Sequence, residues 1–494
     1  MIGGVRVLEE NNFLRYEEQE IEIKINNEEI TGYIINKLEV NSSANSHTVL
    51  NLELEFTDEQ KGKYASINQI EDFSVEINAT QSLNSQNKTS IFYGICKESR
   101  IRYYGNKGYQ FIIKGYSKSQ LMDREKKYRA FQDINMSYSE IIQEILVDYK
   151  ATENSKVEVL MNKKSEEKIK DLIVQFDETD WEFLIRIISH LGMGIINTDK
   201  SVVCFGFLDN DDKKNEDMKY TNYEMIRDMK NILYKIFSTQ VFSAGSYISI
   251  NNSSGENTFS IISSKIYLDK ALLFGEYVLV NPEEYKFNKI RNEKILGNVI
   301  EGIVEKVYEK EKIAVMEVRL FEGMSKYGKA YKDYGISRYV IPYSTFYSQT
   351  NTGFFCTPEI GDTVDIHFLN REEKFVRASW SVNNKGNGRF SDYTKRNFHV
   401  NQGDFKFTID LNVFDISTAK SYSTYSPSIN TQCDNSIVRS TKNLLIASDD
   451  YMGIESIGDM SIYGKRLEVI GKEEEVVIEA SKEIRLKGEK IHNN

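Results

Sequence analysis

The chain has 494 residues, of which 40% are hydrophobic and 28% are charged, and its formal net charge is -11. The negative charge argues against a nucleic-acid backbone as the partner, because proteins that bind phosphates present a basic face. The length is sufficient for three or four domains, and no run of about 18 apolar residues predicts a transmembrane helix.

The first residues, 1–12, lack the basic start and the apolar stretch of a signal peptide. We therefore expect the protein to leave its cell by assembly or lysis rather than by ordinary secretion. The four cysteines lie far apart, which predicts reduced thiols and no zinc motif: Cys96, Cys204, Cys356 and Cys433.

Residues 1–125 are predicted to form a β-sheet or β-barrel domain. Apolar and polar residues alternate in segments 21–26 and 50–56, as in half-buried strands, and Asn-rich stretches such as 41–46 separate them. Proline is scarce, with four in the whole chain, while Ile, Val, Tyr and Phe are abundant. A mainly β protein follows.

Residues 126–295 are predicted to contain two short helices and further strands. Ser137 precedes Glu140 by three residues, and Thr179 precedes Glu182 by the same spacing. Both pairs form a capping box, in which the hydroxyl and the carboxylate each satisfy a free backbone amide of the first turn. The apolar residues that follow each capping box are at helical spacing. After the first box they are Ile141, Ile142, Ile145, Leu146 and Tyr149. After the second box they are Trp181, Leu184, Ile185 and Ile188. We expect the second helix to stop at Gly192 and its late residue His190 to act as a surface group or a partner of the helix dipole rather than as a base.

Residues 296–384 are predicted to form a small antiparallel barrel. Strands at 298–307 and 314–320 flank a charged turn, and strands at 364–368 and 375–380 complete the unit.

The last part of the chain, 385–494, opens with a stretch that is rich in Ser, Asn, Thr and Gly, in which one segment alternates: Phe405, Phe407, Ile409 and Leu411. An eight-residue repeat follows. Steps of 8, 8, 8, 7, 9 and 8 residues separate seven apolar residues: Val438, Ile446, Ile454, Ile462, Val469, Ile478 and Leu486. Most have an apolar partner two residues earlier, so each octad reads as a short strand followed by a polar turn.

A single octad has too little apolar surface to close a core. Three octads of one chain can form one coil of a β-helix, or three chains can each contribute one octad to every layer of a prism. Seven octads give only two coils and a fraction in the first arrangement, so we favour the trimeric needle, which has no free strand edges. An edge-forming meander with chance periodicity is the third alternative.

The order of these elements resembles VgrG-type hub and spike proteins of contractile injection systems, which include phage tails, R-type bacteriocins and type VI-like systems. Segment 172–186, in which a strand leads through Glu-x-Asp into a helix, resembles one segment of that family, and 131–149 resembles the capped helix before it. Segment 353–362 is similar to the signature of the family's OB-type barrel. We expect the matching residues to be core and turn residues rather than ligands: Gln175, Glu178, Trp181, Phe183, Pro358 and Gly361.

The resemblance implies a homotrimer. Residues 1–295 would form a tandem-barrel hub that joins a hexameric tube to a threefold spike, and the OB-type barrel and a triple-stranded needle would complete the spike. The implied partners are inner tube and baseplate proteins, a separate spike-tip protein and, mechanically, the envelope of the target cell. The chain would be made in the bacterial cytoplasm and assembled into a phage tail-like particle that can be released.

Two features depart from relatives in the family. The stretch between Trp380 and the next strand is too short for the lysozyme domain that some phage spikes insert there. Some needles end in a His-x-His iron site, whereas this chain has one histidine there, His492. Three copies of His492 on a threefold axis are a weak metal candidate, and a solvated end covered by a tip protein is favoured.

The five histidines form no recognisable catalytic or metal-ligand spacing, and the Gly-x-Ser-x-Gly, phosphate-loop and His-Glu-x-x-His motifs are absent. The sequence thus predicts a structural protein without a cofactor. The alternatives are a trimeric receptor-binding fibre or adhesin, which should end in a globular head, and a peptidoglycan hydrolase with a carboxylate pair.

Overall fold

The computed structural model describes residues 20–80, 88–105, 108–149, 157–208, 215–218, 220, 222–228, 231–252, 255–321, 331–334, 338–349, 352–354, 356–382, 393–400, 405–409, 413–418 and 421–492. The chain divides into two compact units, 1–394 and 395–494, which are described separately. The predicted mainly β character is confirmed. Among the described residues, no helix combines the length and the apolar character needed to cross a membrane.

The first half of the first unit is built mostly from strands. Its elements are β1 (Glu20–Ile25), β2 (Glu28–Glu29), β3 (Tyr33–Ser43), β4 (Val49–Phe56), α1 (Lys61–Ile67), β5 (Ser74–Thr80), β6 (Lys88–Tyr103), β7 (Tyr109–Tyr116), β8 (Lys126–Phe131), α2 (Tyr138–Leu146), β9 (Glu158–Met161), β10 (Ile173–Thr179), α3 (Asp180–Ser189), β11 (Ile195–Asn197) and β12 (Val202–Phe205).

The described residues in the remainder of the first unit form strands, apart from the 3-10 turn Glu373–Phe375. They are β13 (Asn215–Asp217), β14 (Asn222–Arg227), β15 (Ile232–Ser238), β16 (Tyr247–Asn252), β17 (Gly255–Asp269), β18 (Leu272–Val280), β19 (Val299–Lys310), β20 (Ile313–Leu320), β21 (Tyr331–Tyr334), β22 (Val340–Pro342), β23 (Tyr347–Gln349), β24 (Thr352–Phe354), β25 (Thr363–Phe368) and β26 (Val376–Val382).

The largest sheet joins strands from both sides of the helical segment. Its order is β14-β15-β18-β17-β3-β4-β7-β6-β5-β1-β2, and β16 and β13 branch from β17. The join lies between β3 and β17, where Ser43 is opposite Ser263 and Val40 is opposite Ile266. The two predicted hub barrels therefore share one sheet in this structure.

This sheet is open, whereas the sequence predicted barrels. Its end strands are β14 and β2, and β2 has only two residues, too few for a ladder that would close the sheet in its described part. The alternation in 50–56 is realised in β4, where Leu50, Leu52 and Leu54 are fully buried.

Both predicted capping boxes are present. In α2 the Ser137 side chain accepts from the Glu140 amide, and in α3 Thr179 accepts from Glu182, with the reciprocal carboxylate bonds also formed. Gly192 follows α3 with a φ of +70°, a left-handed conformation that suits glycine and ends the helix.

Five strands of 296–384, where the sequence predicted a small antiparallel barrel, form an antiparallel sheet in the order β22-β20-β19-β25-β26. Its two ends approach each other at one parallel bridge, between Tyr343 and Ala378, where the Ser344 amide donates to the Ala378 carbonyl at 2.8 Å. The sheet is thus curved and partly open.

The second unit has a three-stranded sheet and a stem. The strands are β27 (Arg396–Val400), β28 (Phe405–Ile409) and β29 (Phe414–Ser417). Residues 421–492, called the stem below, have no strand ladder in the structure. The chain bends there at 427 and 434 and then, along the predicted repeat, at 441, 449, 457, 465, 472, 481 and 489. Each bend from 441 onward begins three residues after an apolar residue of the repeat, and the 7- and 9-residue steps around Val469 recur in these bends.

Candidate functional site

The signature segment 172–186 occupies β10 and α3, and most of its side chains are buried. Of the residues singled out from sequence, Gln175, Glu178, Trp181 and Phe183 are between 0 and 6% exposed. Phe183 stacks on Phe131 of β8, with ring centroids 5.7 Å apart. These side chains lie in the interior of the first unit, and their role as core residues rather than ligands stays a prediction.

A buried charged cluster surrounds the first turn of α3. The Arg129 guanidinium donates to the Gln175 side-chain oxygen at 2.7 Å and pairs with the fully buried Asp180. Lys127 donates to the second Asp180 oxygen at 2.7 Å, and the Tyr149 hydroxyl donates to the same atom at 2.6 Å. Burial alone would raise the pKa of Asp180, but Arg129, Lys127 and Tyr149 together hold it below its ordinary value. Asp180 is therefore a fixed anion that ties β8 and the 3-10 turn Val147–Tyr149 to α3.

A second buried cluster is centred on Arg186 of α3, whose side chain is 2% exposed. Its guanidinium binds both carboxylate oxygens of Glu178, at 2.7 and 2.8 Å, and donates to Glu373 at 3.0 Å and to the Val174 carbonyl at 2.7 Å. Asn292 donates to the same Glu373 oxygen at 2.9 Å. One cation thus links α3 to Glu373, which precedes β26 of the small sheet.

The helical segment and the small sheet also share a hydrophobic core. Ala130 and Val174 from the helical segment pack in one cluster with Ile300, Val318 and Ile366 of the small sheet. The Gln132 side chain adds a donated bond to the Val318 carbonyl at 3.1 Å. We call this region, with the Arg186 cluster, the junction. Its chemistry is that of a rigid connection.

Strand β21 adds a backbone connection to the junction. It lies in the chain between β20 and β22, yet it pairs in parallel with β8, where Tyr331 is opposite Tyr128 and Tyr334 is opposite Phe131. A segment of the small-sheet region therefore completes a sheet of the helical region.

The residues of segment 353–362 that are described form a turn before β25. Pro358 is buried, and Gly361 has a φ of +91°, which favours glycine. The Asp362 carboxylate accepts from the Glu359 amide at 3.0 Å, and the Gly361 amide donates to the Val304 carbonyl at 2.8 Å. The Gly361 amide thus holds the turn against β19.

His47 forms contacts that sequence reasoning missed. Its ring lies 4.5 Å from that of Trp181, and its nitrogens lie 2.8 Å from the Ser119 hydroxyl and 3.3 Å from an Asp123 carboxylate oxygen. Ser119 is fully buried, so this Ser-His-Asp arrangement offers a substrate no access to the hydroxyl. It anchors the β3–β4 loop to α3. Because the four residues are distant in sequence, no local pattern indicated them.

His190 differs from the expected partner of the helix dipole. Burial, with the nearby charges of Arg186 and Lys289, lowers the pKa of His190 to about 3, so the ring is neutral at physiological pH.

The neutral His190 should make stability fall in mild acid. Its folded pKa of about 3 lies below the unfolded value of 6.5, so the unfolded chain binds more protons between these values and stability rises with pH. We expect the free energy of unfolding to decrease as the pH falls below about 6.5. His190→Gln should flatten this slope in urea titrations between pH 7 and pH 5. An unchanged slope would show that the ring titrates normally.

The predicted needle residues lie along the stem and are not brought together within the chain. Their exposed fractions lie between 64 and 72%: Val438, Ile446, Ile454, Ile462, Val469, Ile478 and Leu486. Their assignment to a trimer core stays a prediction. His492 is exposed, and within the described ranges no group of three or more His, Cys, Asp or Glu side chains is placed to hold a metal.

The fold is that of hub and tail proteins of phage tails and type VI secretion systems. The first similar structure is an E. coli protein, c3393, a type VI secretion component described as structurally similar to the T4 bacteriophage tail proteins gp27 and gp5. It has a TM-score of 0.51 and 10% identity, over 73% of this chain and 99% of that chain.

Two further similar structures are complexes that contain VgrG. The lidded Francisella PdpA–VgrG complex has a TM-score of 0.55 and 11% identity, over 83% of this chain and 78% of that chain. A lidless PdpA–VgrG complex has a TM-score of 0.52 and 11% identity, over 81% of this chain and 95% of that chain. No protein-family model and no curated protein sequence matches. The VgrG-type fold that the signature segment predicted is confirmed.

Proposed function

We propose that the chain is the structural hub and spike subunit of a contractile injection machine. The observation that carries this proposal is the stem. Its apolar residues recur at regular intervals, each three residues before a bend, and they form no β-ladder within the chain and remain exposed. Such a segment is stable in water only when other chains cover it. Its attachment to a unit with a VgrG-like fold supports a spike rather than an unrelated fibre.

A homotrimer is the assembly that the stem supports best. Three copies of one octad can enclose an apolar axis, whereas one copy leaves Ile454 72% and Ile478 68% exposed. The small sheet, 296–384, serves as the OB-type barrel of this spike. In chain order its first strand pairs with its second and fourth, and the third and fifth approach in parallel at Tyr343 and Ala378, a five-stranded and partly open arrangement.

The junction gives the machine a mechanical connection. The hub would contact the hexameric inner tube and the baseplate, the stem would carry a separate tip protein, and sheath contraction would drive the stem through the envelope of the target cell. The Arg186 cluster and the shared core resist separation of hub and barrel under that load. The protein is then a non-enzymatic component, made in the bacterial cytoplasm and assembled into a phage tail-like particle.

The oligomeric mass of the full chain tests this proposal. Multi-angle light scattering after size-exclusion chromatography should give three times the chain mass of 57.2 kDa, and this mass should persist on dilution. A monomer at all concentrations would contradict the intertwined stem, and with it the spike.

A further inference from the structure

The second unit begins with a three-stranded antiparallel sheet, β27–β29, that separates apolar from polar residues. Phe407 of the central strand is opposite Phe398 on one side and Ile416 on the other. Ile409 is opposite Phe414 on one side and Arg396 on the other. Because residues opposite each other in an antiparallel sheet project to the same face, one face is mainly apolar, with Arg396 at its edge. We call it the meander face: Phe398, Phe405, Phe407, Ile409, Phe414 and Ile416.

The opposite face carries polar residues at the intervening positions, which include Lys406, Thr408, Asp415 and Ser417. The meander face is also partly organised by aromatic pairs. The rings of Phe407 and Phe414 are 5.2 Å apart in an edge-to-face arrangement. The sheet thus has the pattern of one that is packed on one side and solvated on the other.

Several side chains of the meander face are exposed to solvent in the described part of the chain. Phe414 is 64% exposed, Ile409 43% and Phe398 37%, and none of the three belongs to a hydrophobic core in the described part of the molecule. Three short strands with one bare apolar face are marginal in water unless that face is packed.

We propose that the meander face packs against the same face of two further copies of this chain, and that this contact fixes the register of the stem. The inference rests on the proposed trimeric spike. Only residues 418–420 separate β29 from the stem, so the copies that cover the stem necessarily bring their meander faces close by. Another copy of this chain is therefore the partner that covers the meander face.

The stem needs such a contact because it repeats. Successive octads present similar apolar residues, so one chain displaced by eight residues still finds apolar partners, with only the steps around Val469 departing from the period. Register is weakly specified wherever neighbouring positions are alike. The meander face occurs once per chain, and three copies meet only when the three stems are in the same register.

The test compares two double variants of the full chain. Phe407→Ser with Ile416→Ser removes apolar side chains from the meander face, and the control Lys406→Ser with Asp415→Ser changes the opposite face of the same two strands. Each protein is refolded from denaturant at several concentrations. Light scattering follows the masses formed, and hydrogen exchange reports protection of 405–409. Trp181 emission checks that the first unit has folded.

We expect the natural sequence and the control to form trimers with protected 405–409 amides. The meander-face variant should assemble at least about 100-fold more slowly, because a buried aromatic anchor is lost in all three copies, and should give masses above three copies from slipped stems. Trimers of the natural sequence with unprotected 405–409 amides, or assembly of the variant at the rate of the control, would overturn the proposal and leave the trimeric spike intact. A natural sequence that stays monomeric would overturn both.

Discussion

Replacing Arg186 with methionine is expected to destabilise the first unit by about 3–5 kcal/mol, the largest single-residue effect in the junction. The substitution leaves the carboxylates of Glu178 and Glu373, which are 6 and 5% exposed, without their shared cation. Denaturant unfolding followed by the emission of Trp181, which is 4% exposed, measures the change.

The matched control is Arg371→Met, which removes an exposed ion pair. Arg371 lies 2.9 Å from Glu293, and the two side chains are 50 and 60% exposed, so the loss should stay below about 1 kcal/mol. Adding Glu178→Gln and Glu373→Gln to the Arg186 variant should recover part of the stability, because neutral amides need no cation. Equal effects of the two arginine variants would contradict a buried charged junction.

Replacing Ile462 with asparagine is expected to abolish the trimer. Ile462 is 66% exposed in one chain, and a trimeric stem would bury three copies of it in one layer. Loss of about 1.5–3 kcal/mol per buried isoleucine corresponds to roughly 5–9 kcal/mol for each trimer. Light scattering across a dilution series would show dissociation to a single chain mass.

Tyr463→Asn is the control within the same octad. Tyr463 is 91% exposed and is the next residue along the chain, so in an extended segment its side chain projects to the opposite side. The control should remain trimeric. If both variants dissociate alike, or neither does, the assignment of Ile462 to a trimer core is wrong.

Local features of the fold were readable from the sequence because their causes are local. The helix caps at Ser137 and Thr179 each depend on a residue three positions away. The end of α3 at Gly192 depends on the left-handed conformation of that one glycine. The stem period was also visible, because a repeated bend requires a repeated residue pattern.

The candidate site was predicted only in part. Gln175 and Glu178 were identified as structural residues, but their partners were not, since Arg129 is 46 positions from Gln175 and Glu373 is 187 positions from Arg186. Charge pairs of this kind produce no periodic pattern in the sequence.

The alternation of Phe405, Phe407 and Ile409 indicated one strand of the meander face. The other residues of the face lie on flanking strands, and no local sequence pattern predicts the register of those strands.

The sequence by itself determined the mainly β class, the two capped helices, the resemblance to VgrG-type spikes and the octad spacing of the stem. Each depends on short-range periodicity or backbone chemistry. Only the tertiary structure decided that β3 and β17 join the strands before and after the helical segment in one open sheet, and that Arg186 ties α3 to the small sheet. These features depend on which distant segments meet, a choice made by the burial of the whole chain rather than by any part of it.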